Sequence, residues 1–175
     1  MNKEQIADIL RKNHAQFVRQ LQQLNNADFC YAPEGKWTAS QQLDHIIRSV
    51  SPVNMAMGLP KCIVKWKFGI ANRPSKTFEA LVEKYNLKLQ EGGKASGRFV
   101  PPSVTSERKE KLLAQLTNVV EKLCLKTTKH SETSLDKYIL PHPLLGKLTL
   151  REMLYFTAYH VEHHRQLVEK GLLGR

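Results

Sequence analysis

Cysteine is scarce in this 175-residue chain: Cys30, Cys62 and Cys124 lie far apart, with no CxxC pair. That spacing excludes a zinc knuckle and a thioredoxin-type redox pair. The odd count points to free thiols, and Cys124, set among Val119, Val120 and Leu123, reads as a small core residue. Long apolar runs are missing too. A stretch such as Val50 to Pro60 is too short and too broken to span a bilayer. The opening Met1-Asn2-Lys3-Glu4-Gln5 lacks the basic-then-apolar layout of a secretory signal, so a cytoplasmic location is expected. There are no internal repeats and no convincing strand ladder. Acidic residues are outnumbered, 16 against 27 basic ones, for a net charge of +11. The lysines are spread along the chain with little aromatic interleaving. The charge therefore fits solubility and an attraction for anionic small molecules, not a nucleic-acid footprint.

What is present is helical patterning. Hydrophobic residues make up 41% and charged residues 25% of the chain, the profile of one soluble domain over residues 1–175. The first helix is expected from about Lys3 to Leu24, with Asn2 and Gln5 as a capping box and Ile6, Leu10, Phe17, Leu21 and Leu24 buried. A polar turn with Pro33 and Gly35 follows. Thr38 and Gln41 form a second capping box, opening a helix near Ala39 that turns Leu43, Ile46, Ile47 and Val50 to the core. Pro52 should kink or split this helix, and Gly58 and Pro60 should end it. Lys61 to Ile70 is basic and aromatic, without a clear period. Ser75 is the expected cap of a helix from Lys76 to Gln90, stopped by Gly92-Gly93. Lys94 to Pro102 reads as an extended surface loop whose length fits a lid or a dimer contact. From Ser106, Leu112, Leu113, Leu116, Val119, Val120 and Leu123 repeat at the helical period. A polar loop is expected from Lys126. Thr149 and Glu152 cap the last helix, which should run to Gly171. Four such amphipathic helices predict an all-α four-helix bundle, with an extra helix between its second and third members.

The last helix carries the sharpest chemistry. His160 and His164 stand four residues apart, one turn above the other. Both fall inside the apolar stripe of Leu150, Met153, Leu154, Thr157, Val161, Leu167 and Val168. A buried imidazole needs partners for its nitrogens, and two aimed at one interior point to a shared metal ion or to two separate hydrogen bonds. A catalytic metal site needs about three protein ligands. By periodicity His14 is the better third candidate, on the edge of the first helix's apolar stripe. His45 lies on the polar side of its helix with Gln41, Ser49 and Pro52. His163 points to the flank, and His130 and His142 fall in loops.

The stretch Gly35-Lys36-Trp37-Thr38-Ala39-Ser40-Gln41-Gln42-Leu43-Asp44-His45-Ile46 resembles the second-helix signature of the DinB-like superfamily, which includes bacillithiol S-transferase-like proteins. His142-Pro143-Leu144-Leu145-Gly146-Lys147-Leu148-Thr149, leading into His160-x-x-x-His164, resembles that family as well. So does the linker Glu91-Gly92-Gly93-Lys94-Ala95 followed by Phe99-Val100-Pro101. The resemblance implies an up-down-down-up bundle in which His45, His160 and His164, not His14, hold a divalent metal such as zinc or nickel. The basic segment Lys61 to Lys67 departs from the family pattern. Relatives imply two chemistries, transfer of a low-molecular-weight thiol to a small-molecule substrate, which is the favoured reading, or metal-dependent hydrolysis; a non-catalytic bundle with a structural or vestigial site is the third reading. They also imply a homodimer. Glu162, His163 and Asp44 adjoin the three histidines in sequence but read as surface residues. Tyr159 reads as packing that borders the cleft, and Trp37 as packing at the helix entrance; no general base stands out.

Overall fold

A computed structural model describes residues 1–173. Its helices in chain order are α1 (Lys3–Gln23), α2 (Asn26–Phe29), α3 (Ala39–Met57), α4 (Lys61–Phe68), α5 (Phe78–Gln90), α6 (Lys109–Lys129), α7 (Glu132–Lys137) and α8 (Leu150–Leu172). Short 3-10 turns occupy Gly97–Phe99 and Ser106–Arg108, and a hairpin of β1 (Ile139–His142) and β2 (Gly146–Thr149) precedes α8. No helix among the described residues is long and apolar enough to cross a membrane.

The four long helices form one bundle. α1 packs on α6 and α8, and α3 packs on the same two, so α1 and α3 face each other across the core. Phe17, Phe29, Leu10, Leu21, Leu43, Ile46, Leu116 and Leu123 are fully buried there. Each such side chain contributes roughly 1.5–3 kcal/mol by leaving water. Three capping boxes start three of these helices. In each, the cap side chain accepts from the third residue's N–H while that residue's side chain reaches back: Asn2 with Gln5, Thr38 with Gln41 and Thr149 with Glu152.

Several expectations are corrected. The cap of α5 is Thr77, not Ser75; the Ser75 hydroxyl instead donates to Asp136 Oδ1 at 2.6 Å. Pro52 does not split α3, which continues to Met57. The basic segment after it folds as α4, with Trp66 exposed. No loop begins at Lys126: α6 runs on to Lys129 and α7 follows. The absence of strands is overturned as well, because β1 and β2 pair antiparallel with Leu140 opposite Leu148. The turn between them is built by His142, whose Nδ1 accepts from the Leu144 and Leu145 N–H groups at 3.1 and 3.0 Å. Gly146 closes it with a left-handed φ of 78°. Gly93 has its own reason for being glycine: a Cβ there would lie 2.6 Å from the Lys88 carbonyl oxygen and 2.7 Å from Leu144.

Candidate metal centre

α3 and α8 pack side by side, and that contact sets the site. Seven residues into α3, His45 points at α8 and meets His160 and His164. One ring nitrogen from each residue lies within 4.8 Å of the other two. His160 Nε2 is 3.2 Å from His45 Nε2 and 3.0 Å from His164 Nε2. All three rings are buried, with exposures of 4–6%. His14 stands outside this cluster. It is buried in α1, where its Nδ1–H donates to the Leu10 carbonyl at 2.8 Å and its Nε2 has no partner among the described residues.

The far nitrogens of two rings fix where the protons sit. His45 Nδ1–H donates to the Phe99 carbonyl at 2.7 Å, and His164 Nδ1–H donates to Gln42 Oε1. A neutral imidazole with its proton on Nδ1 presents a bare lone pair at Nε2. Two lone pairs therefore face the centre, and a neutral His160 can supply at most one N–H between them. Burial lowers the pKa of all three rings, above all His160 and His164, and neighbouring imidazoles add to the effect there. A protonated ring would lose that solvation and repel its neighbours. The donor set is thus three neutral nitrogens converging on one point with two outer ring nitrogens already anchored. It fits a divalent ion of the zinc or nickel kind, which takes imidazole readily and whose histidine ligands normally donate their other N–H to a carbonyl.

Packing holds the ring planes. Phe156 stacks on His160 at 4.7 Å between centroids, and His142 of the hairpin meets Phe156 at 4.2 Å. The motif around His142 therefore reaches the site by propping Phe156. Burial, with Lys84 nearby, lowers the His142 pKa to about 4, so its Nδ1 stays an acceptor for the turn. Trp37 lies 5.0 Å from His45 and stacks over His164 at 6.4 Å, forming a wall of the site as well as packing at the helix entrance. The loop expected as a lid or dimer contact packs on α3. Its Phe99 carbonyl anchors His45, and Arg48 Nη1 donates to the Arg98 carbonyl at 3.1 Å.

The neighbours of the histidines in sequence do other work. Asp44 is buried, not at the surface, and pairs with Arg48. Glu162 is engaged by Arg165 at 2.8 and 2.9 Å. His163 lies edge-on to Tyr85 at 5.8 Å. The Tyr159 hydroxyl donates to Asn86 Oδ1 at 3.2 Å. Gln42 and the Phe99 carbonyl are the two site groups that periodicity missed. Gln42 carried a weak signal, lying one helical turn before His45; a backbone carbonyl carries none.

No curated protein and no solved structure matches the chain significantly. Residues 9–168 match the sequence profile described as the DinB superfamily. That span runs from within α1 to within α8 and includes His45, His160 and His164, and the chain belongs to the DinB superfamily.

Proposed function

We propose that His45, His160 and His164 hold a divalent metal ion, zinc or nickel, and that the protein is a transferase for a low-molecular-weight thiol. The observation that carries the metal is the convergence of three buried Nε2 atoms with at most one proton to share. When bound, the ion supplies positive charge that lowers the pKa of a thiol and stabilises the thiolate. The chain's own residues then orient and shield. Gln42 and the Phe99 carbonyl hold two rings in register. Phe156 fixes the third, and Trp37 offers an apolar wall against which a thiol or its electrophile can rest. In the transfer, a sulfur–carbon bond forms, the leaving group departs with its electron pair, and the thiol proton passes to solvent.

Asp44 and Glu162, the carboxylates that adjoin the histidines in sequence, are tied up in ion pairs, so neither stands ready to activate water as a base. This favours the thiol reading over hydrolysis, which asks a base to take the proton of water. Family resemblance supports the same choice. The test is turnover of an alkylating electrophile such as monochlorobimane by zinc- or nickel-loaded protein, with and without bacillithiol or cysteine. Electrophile consumption that needs the thiol is the expected result. Hydrolysis of ester or amide substrates with water alone, and no thiol requirement, would replace this reading with a hydrolase.

A further inference from the structure

A cavity opens at the other end of α3. It has a volume of about 700 Å³ and lies where the C-termini of α3 and α6 meet the start of α4 and α7. Met57 on its wall is twelve residues beyond His45, roughly 18 Å along the helix at 1.5 Å per residue. Four lysines line it: Lys61, Lys126, Lys129 and Lys137. No carboxylate does, among the described residues. The acids next to lining residues in sequence are already engaged. Glu132 accepts from Arg151 and from the Lys3 N–H, and Asp136 accepts from Arg151 and Ser75.

Part of this charge has a structural use. Lys126 Nζ donates to the Asn54 carbonyl at 2.6 Å, and His130 Nε2–H donates to the Met57 carbonyl at 3.0 Å. Both satisfy last-turn carbonyls of α3 that no helical N–H can reach. That use leaves cations over. With its Nε2 proton committed to Met57, His130 is a neutral acceptor, and the half-buried Lys61 ammonium donates to its Nδ1 at 2.7 Å. Lys61 therefore sits in the cavity wall against an uncharged partner. The ammonium groups of Lys129 and Lys137 form no ion pair or hydrogen bond among the described residues. The hydroxyls of Ser131 and Thr133 lie on the same wall.

We propose that this cavity is a binding site for a phosphate-bearing small anion, separate from the three-histidine centre. Three ammonium groups without counter-charge call for more than one negative charge. A phosphate group carries about −1.5 to −2 at neutral pH and offers three acceptor oxygens to lysines and hydroxyls. The lining lysines act as point charges that a phosphate's several oxygens can meet together with the wall hydroxyls.

The test is calorimetric titration of the full chain with inorganic pyrophosphate at constant ionic strength, followed by inorganic phosphate and citrate. Saturable binding of one pyrophosphate per chain is expected. Lys129→Gln with Lys137→Gln should weaken it at least about tenfold, a change of roughly 1.4 kcal/mol. Both side chains are exposed and unpartnered, so folding is not at stake. Lys12→Gln with Lys111→Gln removes the same charge from exposed positions outside the cavity and should leave binding within about twofold of the parent, since removing distant exposed charge costs little through screened solvent. Absence of saturable pyrophosphate binding would overturn the proposal. So would equal weakening by both pairs, or citrate binding as tightly as pyrophosphate.

Discussion

His14 offers a test of the account through acid stability. Its ring is buried, Nδ1–H is spent on the Leu10 carbonyl, and Nε2 faces no partner among the described residues. A second proton would have to sit on that buried Nε2 with no acceptor among them, and burial accordingly lowers the pKa from 6.5 to about 4. The sign follows. Below pH 6.5 the unfolded chain binds this proton and the folded chain does not, so stability falls as pH drops. The fall runs from about pH 6.5 to about pH 4 and then levels off. A difference of about 2.5 units at roughly 1.36 kcal/mol each sets a ceiling of about 3.4 kcal/mol, of which about 3 is lost by pH 4. The other low-pKa histidines add to the total loss, so the informative quantity is a difference. Urea unfolding of wild type and His14→Gln, which keeps a donor for Leu10 but cannot titrate, should be measured at pH 7, 5.5 and 4. The variant should lose about 3 kcal/mol less than wild type between the extremes. Parallel losses in the two proteins would refute the reasoning, because His14 would then be free to take its proton in the fold.

Gln42→Leu removes the acceptor of His164 Nδ1–H and should weaken metal affinity roughly 10–100-fold, as loss of an outer partner does, with the helical circular dichroism preserved. A competition titration with a chromophoric chelator measures this. Glu152 is fully buried and accepts from Arg73 at 2.6 and 2.9 Å and from the Lys76 and Thr149 N–H groups. Glu152→Ala should cost about 3 kcal/mol or more in denaturant unfolding, since it strands a cation and two backbone donors; a loss under about 1 kcal/mol would contradict the packing described. Thiol titration with a disulfide reagent should find Cys30 and Cys62 reactive in the native protein. Cys124, buried and with its pKa raised to about 11, should react only on unfolding.

Local rules made the start of each main helix on α1, α3 and α8 legible, because a capping box is written within four residues. They failed where tertiary partners decide. Ser75 is a good cap by type, but Asp136 and Thr149 occupy its hydroxyl and leave Thr77 to the task. The β1–β2 hairpin is only four residues a side and carries a proline, too short for an alternation signal. Pro52 was expected to kink or split α3; the helix runs through it without splitting, packed between α6 and α8. At the site, periodicity preferred His14 over His45. That preference assumed that the polar side of α3 meets solvent. Gln42 and His45 are both buried on that side, against α8 and the Phe99 loop. His14 is buried too, but its partner is its own helix. Resemblance to the family picked His45 because an ordered motif records tertiary placement that a helical period cannot.

In the proposed centre three imidazoles share one metal ion at a site that the apolar core does not depend on. Metal analysis combined with X-ray absorption on purified wild type and His160→Ala tests it most directly. Wild type should bind one divalent ion per chain, with three nitrogen ligands at roughly 2.0–2.2 Å. His160→Ala should keep its helical circular dichroism and lose the ion. Wild type that binds no divalent metal, or a His160→Ala protein that keeps the same ion with the same ligand distances, would contradict the account.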